Sequence, residues 1–124
     1  MLWTWWIGLG SLLAGLAVAF GAFGAHALKS RMTPEYLAVF ETAVRYHMYH
    51  ALALIAVGLV AVRIESTPLK WAGSLFFAGI LLFSGSLYAL TITGNRALGM
   101  ITPAGGAALI LGWCLLAFAV LRPG

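Results

Sequence analysis

Three histidines are the side chains of this sequence with the widest chemical range. His47 and His50 stand three residues apart and share one helical face with Tyr46, while His26 lies at the end of an earlier apolar run. Three neutral imidazoles that converge can hold zinc or copper with an open coordination position, and two that face each other can hold haem. One hypothesis is therefore a metal site of His26, His47 and His50, with a metal ion or haem as cofactor.

Hydrogen bonding is the alternative that the pattern favours for these histidines. His-x-x-His on a helix recurs by chance, and no carboxylate or thiol is placed as an evident fourth ligand. Imidazoles near a membrane surface can bond to the carbonyls at helix ends, or across helices to Tyr88. Handling of a proton or a small ligand is the third alternative.

Glu41 and Arg45 form the second candidate group. They are four residues apart with the glutamate first, which is the favourable order for an ion pair on a helix, and pairing would let Arg45 enter the membrane interface. A proton or ion path is disfavoured, because four short helices enclose little lumen unless the protein oligomerises. The polar cluster proposed as a ligand site or structural centre comprises His26, Glu41, Arg45, Tyr46, His47, His50 and Tyr88.

The composition places these side chains in lipid. Of the 124 residues, 63% are hydrophobic and only 8% are charged, whereas soluble domains are about half apolar and a quarter charged. The net charge of +4 comes from basic residues scattered singly at the ends of apolar runs, a placement that anchors helices in headgroups and gives no nucleic-acid signature. The expected partners are the lipid bilayer and either further copies of the chain or a larger membrane complex.

Four segments are long and apolar enough to be transmembrane helices. Thr-Pro pairs at 33–34, 67–68 and 102–103 predict the starts of the last three, with threonine as N-cap, and Gly94-Asn95 predicts an end. The sequence predicts an all-α fold: an integral membrane four-helix bundle with its N- and C-termini on the same side. Residues 1–124 form one domain in this prediction, with helices at about 3–25, 34–63, 68–93 and 103–121.

Alternate threading of these helices gives the bundle two different ends. All three histidines fall near one membrane surface, here called the histidine rim, and Trp3, Trp5 and Trp6 fall near the other, the tryptophan rim. Small residues recur every four positions in the first and last helices, and they predict surfaces for helix packing or self-association. They are Ser11, Gly15 and Ala19, and Ala104, Ala108 and Gly112.

Four runs of residues carry a family resemblance: Gly-Ala-Phe-Gly-Ala-His-Ala-Leu at 21–28, the run at 40–54, Ser-Gly-Ser-Leu-Tyr at 84–88 and Ile-Thr-Pro-Ala-Gly-Gly at 101–106. They resemble the YgdD/YwdK family of small bacterial inner-membrane proteins, a domain of unknown function that is similar to the vertebrate transmembrane protein 256. The resemblance implies four helices and a multi-pass protein of the bacterial inner membrane. It supplies no catalytic or binding residues.

The function expected from the residues is that of a non-enzymatic accessory, assembly or small-ligand-binding protein. The alternatives are a metal- or haem-binding membrane protein that uses the histidines, and a small transporter of protons, ions or solutes that works as an oligomer.

Overall fold

A computed structural model describes residues 2–122. Over that range the chain forms four long helices, each apolar enough to cross a membrane, which confirms the all-α transmembrane fold. A short 3₁₀ turn, Arg96–Met100, precedes the last of these helices. The helices are α1, Leu2–Leu28; α2, Pro34–Ala61; α3, Thr67–Thr93; and α4, Thr102–Leu121.

Successive helices are antiparallel. Gly10, in the first half of α1, lies against Ala51 of α2, and Trp3 at the start of α1 lies against Gly58, further along α2. The contacts between α3 and α4 likewise pair earlier residues of one helix with later residues of the other, so these two helices are also antiparallel. Both ends of the described chain therefore lie at one end of the bundle, as predicted, and α2 and α3 are the more buried helices.

The Thr-Pro pairs begin their helices in different ways. Thr33 is the N-cap of α2, as predicted, and its hydroxyl accepts a hydrogen bond from the Tyr36 amide at 3.1 Å. The prediction for Thr67 is wrong by one residue, because Ser66 has the extended backbone that a cap requires and accepts from the Leu69 amide at 3.3 Å.

Thr102 was also predicted as a cap, and it has another role. No side chain caps α4, and the Thr102 hydroxyl lies 2.6 Å from the Ser86 hydroxyl of α3. The side chain thus joins two helices instead of closing one. At the end of α3 the prediction is confirmed, since Gly94 adopts a left-handed backbone with φ of 72° and its amide bonds to the Leu90 carbonyl.

The predicted four-residue stripes of small residues are not the surfaces on which the helices pack. Ser11, Gly15 and Ala104 are exposed, Ala19 and Ala108 are partly buried, and only Gly112 of the six is buried.

The buried small residues recur every seven positions instead. They are Gly10 and Ala17 in α1, and Gly105, Gly112 and Ala119 in α4. Seven residues make close to two whole helical turns, so such a stripe stays on one face, whereas each four-residue step rotates a stripe by about 40°. The helices therefore pack along seven-residue stripes, and three of the six residues in the predicted four-residue stripes face outward.

Two helices contain a wider, π-helical turn. These turns are Phe20–Gly24 in α1 and Ile80–Ser84 in α3. The turn in α3 touches α2, where the Ser84 hydroxyl donates to the Ala43 carbonyl at 2.7 Å, and it also lies against Gly105 of α4. Such turns are often found at functional sites, and both of these border the histidines of α2.

Candidate functional site: a buried histidine centre

The two histidines of α2 are buried inside the bundle, each beside an aromatic partner from another helix. The name histidine centre is used here for His47 with Tyr88 of α3 and His50 with Trp113 of α4. The side chains of His47 and His50 are only 2% and 5% exposed. An imidazole at that depth needs hydrogen-bond partners within the protein, so the pattern of donors and acceptors decides what chemistry it can perform.

His47 is held by a tyrosine. Its Nδ1 lies 2.8 Å from the Tyr88 hydroxyl oxygen, and the Phe20 ring, in the π turn of α1, packs edge-on against both side chains. Nε2 is buried without a hydrogen-bond partner in the described structure. A tyrosine hydroxyl can donate to Nδ1 or accept from it, so the contact with Tyr88 holds the ring in place with either nitrogen protonated.

His50 is held by a tryptophan. The indole N–H of Trp113 lies 2.9 Å from its Nε2, and because an indole nitrogen can only donate, Nε2 must accept. The ring proton is therefore on Nδ1, which donates to the Tyr46 carbonyl at 2.7 Å. Both nitrogens of this neutral ring are satisfied, and Phe76 packs edge-on against the Trp113 ring at 4.9 Å between centroids.

Together, these contacts tie both imidazoles to other helices. The lone pair of His50 accepts a hydrogen from Trp113, so it is not free to act as a general base, a nucleophile or a metal ligand. Nδ1 of His47 is engaged with the Tyr88 hydroxyl. The geometry therefore fits the hydrogen-bonding interpretation of His47 and His50, in which they join α2 to α3 and to α4.

The structure does not bring the three predicted metal ligands together. His26 is exposed at the end of α1, while His47 and His50 are buried, and residues 2–122 contain no group of three histidine, cysteine or acidic side chains that could hold a metal ion. Depth in the membrane predicts one level for all three histidines, but the rotation of α1 about its axis turns His26 outward. The haem hypothesis meets the same difficulty, because His47 and His50 lie on one helix and the lone pair of His50 is occupied by Trp113.

Glu41 and Arg45 also lie outside the histidine centre. They line an outward-facing groove of about 570 Å³ between α1 and α2, and both side chains are exposed. The ion pair expected between them is absent from the described structure, in which neither residue has a partner within 4.0 Å. Of the predicted polar cluster, Tyr46, His47, His50 and Tyr88 share the interior contacts, and His26, Glu41 and Arg45 do not.

Trp113 is the residue of the histidine centre that the sequence reasoning missed. It was visible as the one tryptophan in the interior of an apolar helix, where its N–H needs an acceptor. The hydroxyls of Ser84 and Ser86 also lie within an apolar helix and need hydrogen-bond partners there. They join α3 to α2 and to α4. A search for polar groups that need a partner inside the membrane would have found all three.

The fold and the histidine centre define a multi-pass α-helical membrane protein with a neutral, hydrogen-bonded polar core. Comparison with known proteins gives the family: residues 20–106 match the family described as "Protein of unknown function (DUF423)", and the chain belongs to it. The relatives are also named UPF0382 membrane proteins, which confirms the resemblance to YwdK and the location in a membrane.

Two relatives show how far the similarity extends. A UPF0382 membrane protein of Staphylococcus aureus is 48% identical over 114 residues, which are 92% of this chain and 93% of the relative. The UPF0382 membrane protein YwdK of Bacillus subtilis is 48% identical over 115 residues, which are 92% of this chain and 94% of the relative. No solved structure matches the chain.

Proposed function

We propose that the protein is a non-enzymatic accessory or assembly protein of the membrane, a rigid four-helix unit that a larger membrane complex recognises. The observation that carries the proposal is the hydrogen bonding that ties both buried histidines to other helices, His47 to Tyr88 and His50 to Trp113. The side chains best suited to catalysis thus hold helices together. A core in which these side chains are structural suits recognition better than turnover.

The charged groove between α1 and α2 supports the same proposal. Glu41 and Arg45 face outward there without an ion pair to each other. A partner helix that supplies a basic residue opposite Glu41 and an acidic residue opposite Arg45 would gain two ion pairs at this surface. We propose this groove, with walls from Ala17, Gly21 and Met48, as the surface that a partner contacts.

The first experiment tests whether a cofactor is present. Gently solubilised wild type and a His26→Ala, His47→Ala, His50→Ala triple variant are compared by metal analysis, absorption spectrum and thermal unfolding. We expect no stoichiometric metal and no haem band in either protein, and a lower unfolding temperature for the variant. A stoichiometric metal or a haem band that the variant loses would contradict the proposal, because it would make the histidines cofactor ligands.

The second experiment tests recognition through the groove. The protein is tagged, cross-linked in its native membrane and isolated as a wild type, as a Glu41→Gln, Arg45→Gln variant, and as an Arg63→Gln, Glu65→Gln control. The control removes the same charges from the tryptophan rim. We expect a larger complex with the wild type and the control, and its loss in the groove variant. Isolation of the wild type at its own mass, or a complex that survives in the groove variant, would refute the role of the groove.

A further inference from the structure

A second groove opens at the tryptophan rim between the beginnings of α1 and α3. It has a volume of about 470 Å³, and its walls are mostly apolar, with Leu9 and Trp5 from α1 and Phe77 from α3. Lys70 is the charged residue of its lining. The groove is thus mostly apolar, carries one positively charged side chain and opens on the protein surface that faces lipid.

Two hydrogen-bond donors of this groove have no acceptor within the described structure. Lys70 is exposed and forms no ion pair, although the acidic residue Glu65 lies on the same rim. Trp6 lines the groove, and its indole nitrogen is buried without a hydrogen-bond partner. The Ser74 hydroxyl is already used, because it donates to the Lys70 carbonyl at 3.0 Å. An ammonium and an indole N–H without acceptors favour an anionic ligand rich in oxygen.

The order of polar and apolar residues along the groove gives the shape of that ligand. Both helices run inward from the rim, and from Lys70 to Phe77, as from Leu2 to Leu9, the distance along the axis is about 10 Å. The cation therefore lies at the membrane surface and the apolar walls lie below it. A free anion would leave the apolar part empty, whereas a lipid has its phosphate and its acyl chain in this same order.

We propose that this groove is a binding site for a phospholipid with an anionic headgroup. The phosphate accepts hydrogen bonds from Lys70 and from the Trp6 indole, whose buried nitrogen must turn towards the groove to reach it. One acyl chain lies against Leu9 and Phe77. A zwitterionic phospholipid fits the same walls, but its own ammonium group competes with Lys70 for the phosphate. The site is at the opposite rim from the charged groove of the proposed function and does not depend on it.

Thermal unfolding in a neutral detergent, with short-chain phosphatidylglycerol or phosphatidylcholine titrated in, tests the proposal. We expect phosphatidylglycerol to raise the unfolding temperature of the wild type and phosphatidylcholine to have a much smaller effect. Loss of one basic contact near a membrane surface corresponds to about a fivefold weaker association, so Lys70→Gln should need about fivefold more phosphatidylglycerol. Lys70→Arg and the control Arg63→Gln, which changes a basic residue outside the groove, should respond as the wild type does.

Trp6→Phe separates binding from folding. This variant removes an N–H that has no partner, but it also removes the six-membered-ring carbons that lie against Gly73, so it should be less stable than the wild type without lipid. Binding is therefore read as the rise that phosphatidylglycerol produces above the variant's own lipid-free unfolding temperature, and this rise should be smaller than that of the wild type. An unchanged response of Lys70→Gln, or equal stabilisation by phosphatidylcholine, would overturn the proposal. The same rise in unfolding temperature with inorganic phosphate alone would also overturn it, since phosphate lacks the acyl chain.

Discussion

The contact between Gly105 and the π turn of α3 makes a sharp prediction about helix packing. A Cβ atom added at Gly105 would lie 2.7 Å from the Leu82 carbonyl carbon and from the Phe83 Cα, and closer still to the Phe83 backbone nitrogen. These are backbone atoms, which cannot rotate away as a side chain can. Gly106 is the matched control, because the nearest atom to a Cβ there is a ring carbon of Phe83 at 3.8 Å.

The two substitutions to alanine should therefore differ in stability. Carbon atoms pack at about 3.5–4.0 Å, so Gly105→Ala must move α4 away from α3 by roughly 1 Å. Overpacking of this kind costs about 1–3 kcal/mol. Alanine is also a better helix former than glycine by about 1 kcal/mol, but that gain is common to both variants and cancels in the comparison. We expect Gly105→Ala to be less stable than Gly106→Ala by about 1–3 kcal/mol.

Unfolding in detergent mixtures with a rising fraction of sodium dodecyl sulfate, followed by circular dichroism, measures this difference. Each variant is compared with the wild type at the same protein-to-detergent ratio, and refolding by dilution checks that the transition is reversible. Equal stability of the two variants, or a more stable Gly105→Ala, would refute the close approach of α4 to the π turn.

Four further substitutions, measured by the same unfolding assay, test the polar contacts. Trp113→Phe removes the donor to His50 and leaves a buried lone pair, so it should cost about 1–2 kcal/mol; no loss would mean that this bond does not form. Tyr88→Phe removes the hydroxyl bonded to the other buried histidine and should cost about 1 kcal/mol, and an unchanged midpoint would count against that bond. Ser66→Ala should cost about 1 kcal/mol and Thr67→Ala much less; the reverse order would restore Thr67 as the cap.

The fold could be predicted from the sequence because its determinants are local or additive. The length of each apolar run, the proline near the start of each of the last three helices and Gly94 at the end of α3 depend on neighbours in the chain. The error at Thr67 has the same origin. A serine and a threonine stand side by side before Pro68, both residue types are good caps, and only the backbone conformation decides between them.

The histidine centre could be predicted only in part, because its partners depend on how each helix is rotated about its own axis. Depth in the membrane follows from counting residues, and it grouped His26 with His47. Rotation follows from which face of a helix packs, and counting residues does not give it. The seven-residue stripe of Gly10 and Ala17 is the face that packs, and with that face inward His26 points outward.

The histidine centre, the π turns and the packing glycines depend on one another. In lipid, apolar burial does not hold helices together, so close backbone contact and interhelical hydrogen bonds must do so. The π turn of α3 supplies both, since it packs on Gly105 and lets Ser84 bond to the Ala43 carbonyl, one turn before His47 in α2. The π turn of α1 covers His47 with the Phe20 ring. Moving α4 away from the π turn of α3 would also lengthen the contact between Trp113 and His50. The predicted costs of Gly105→Ala and Trp113→Phe should therefore not add in the double variant.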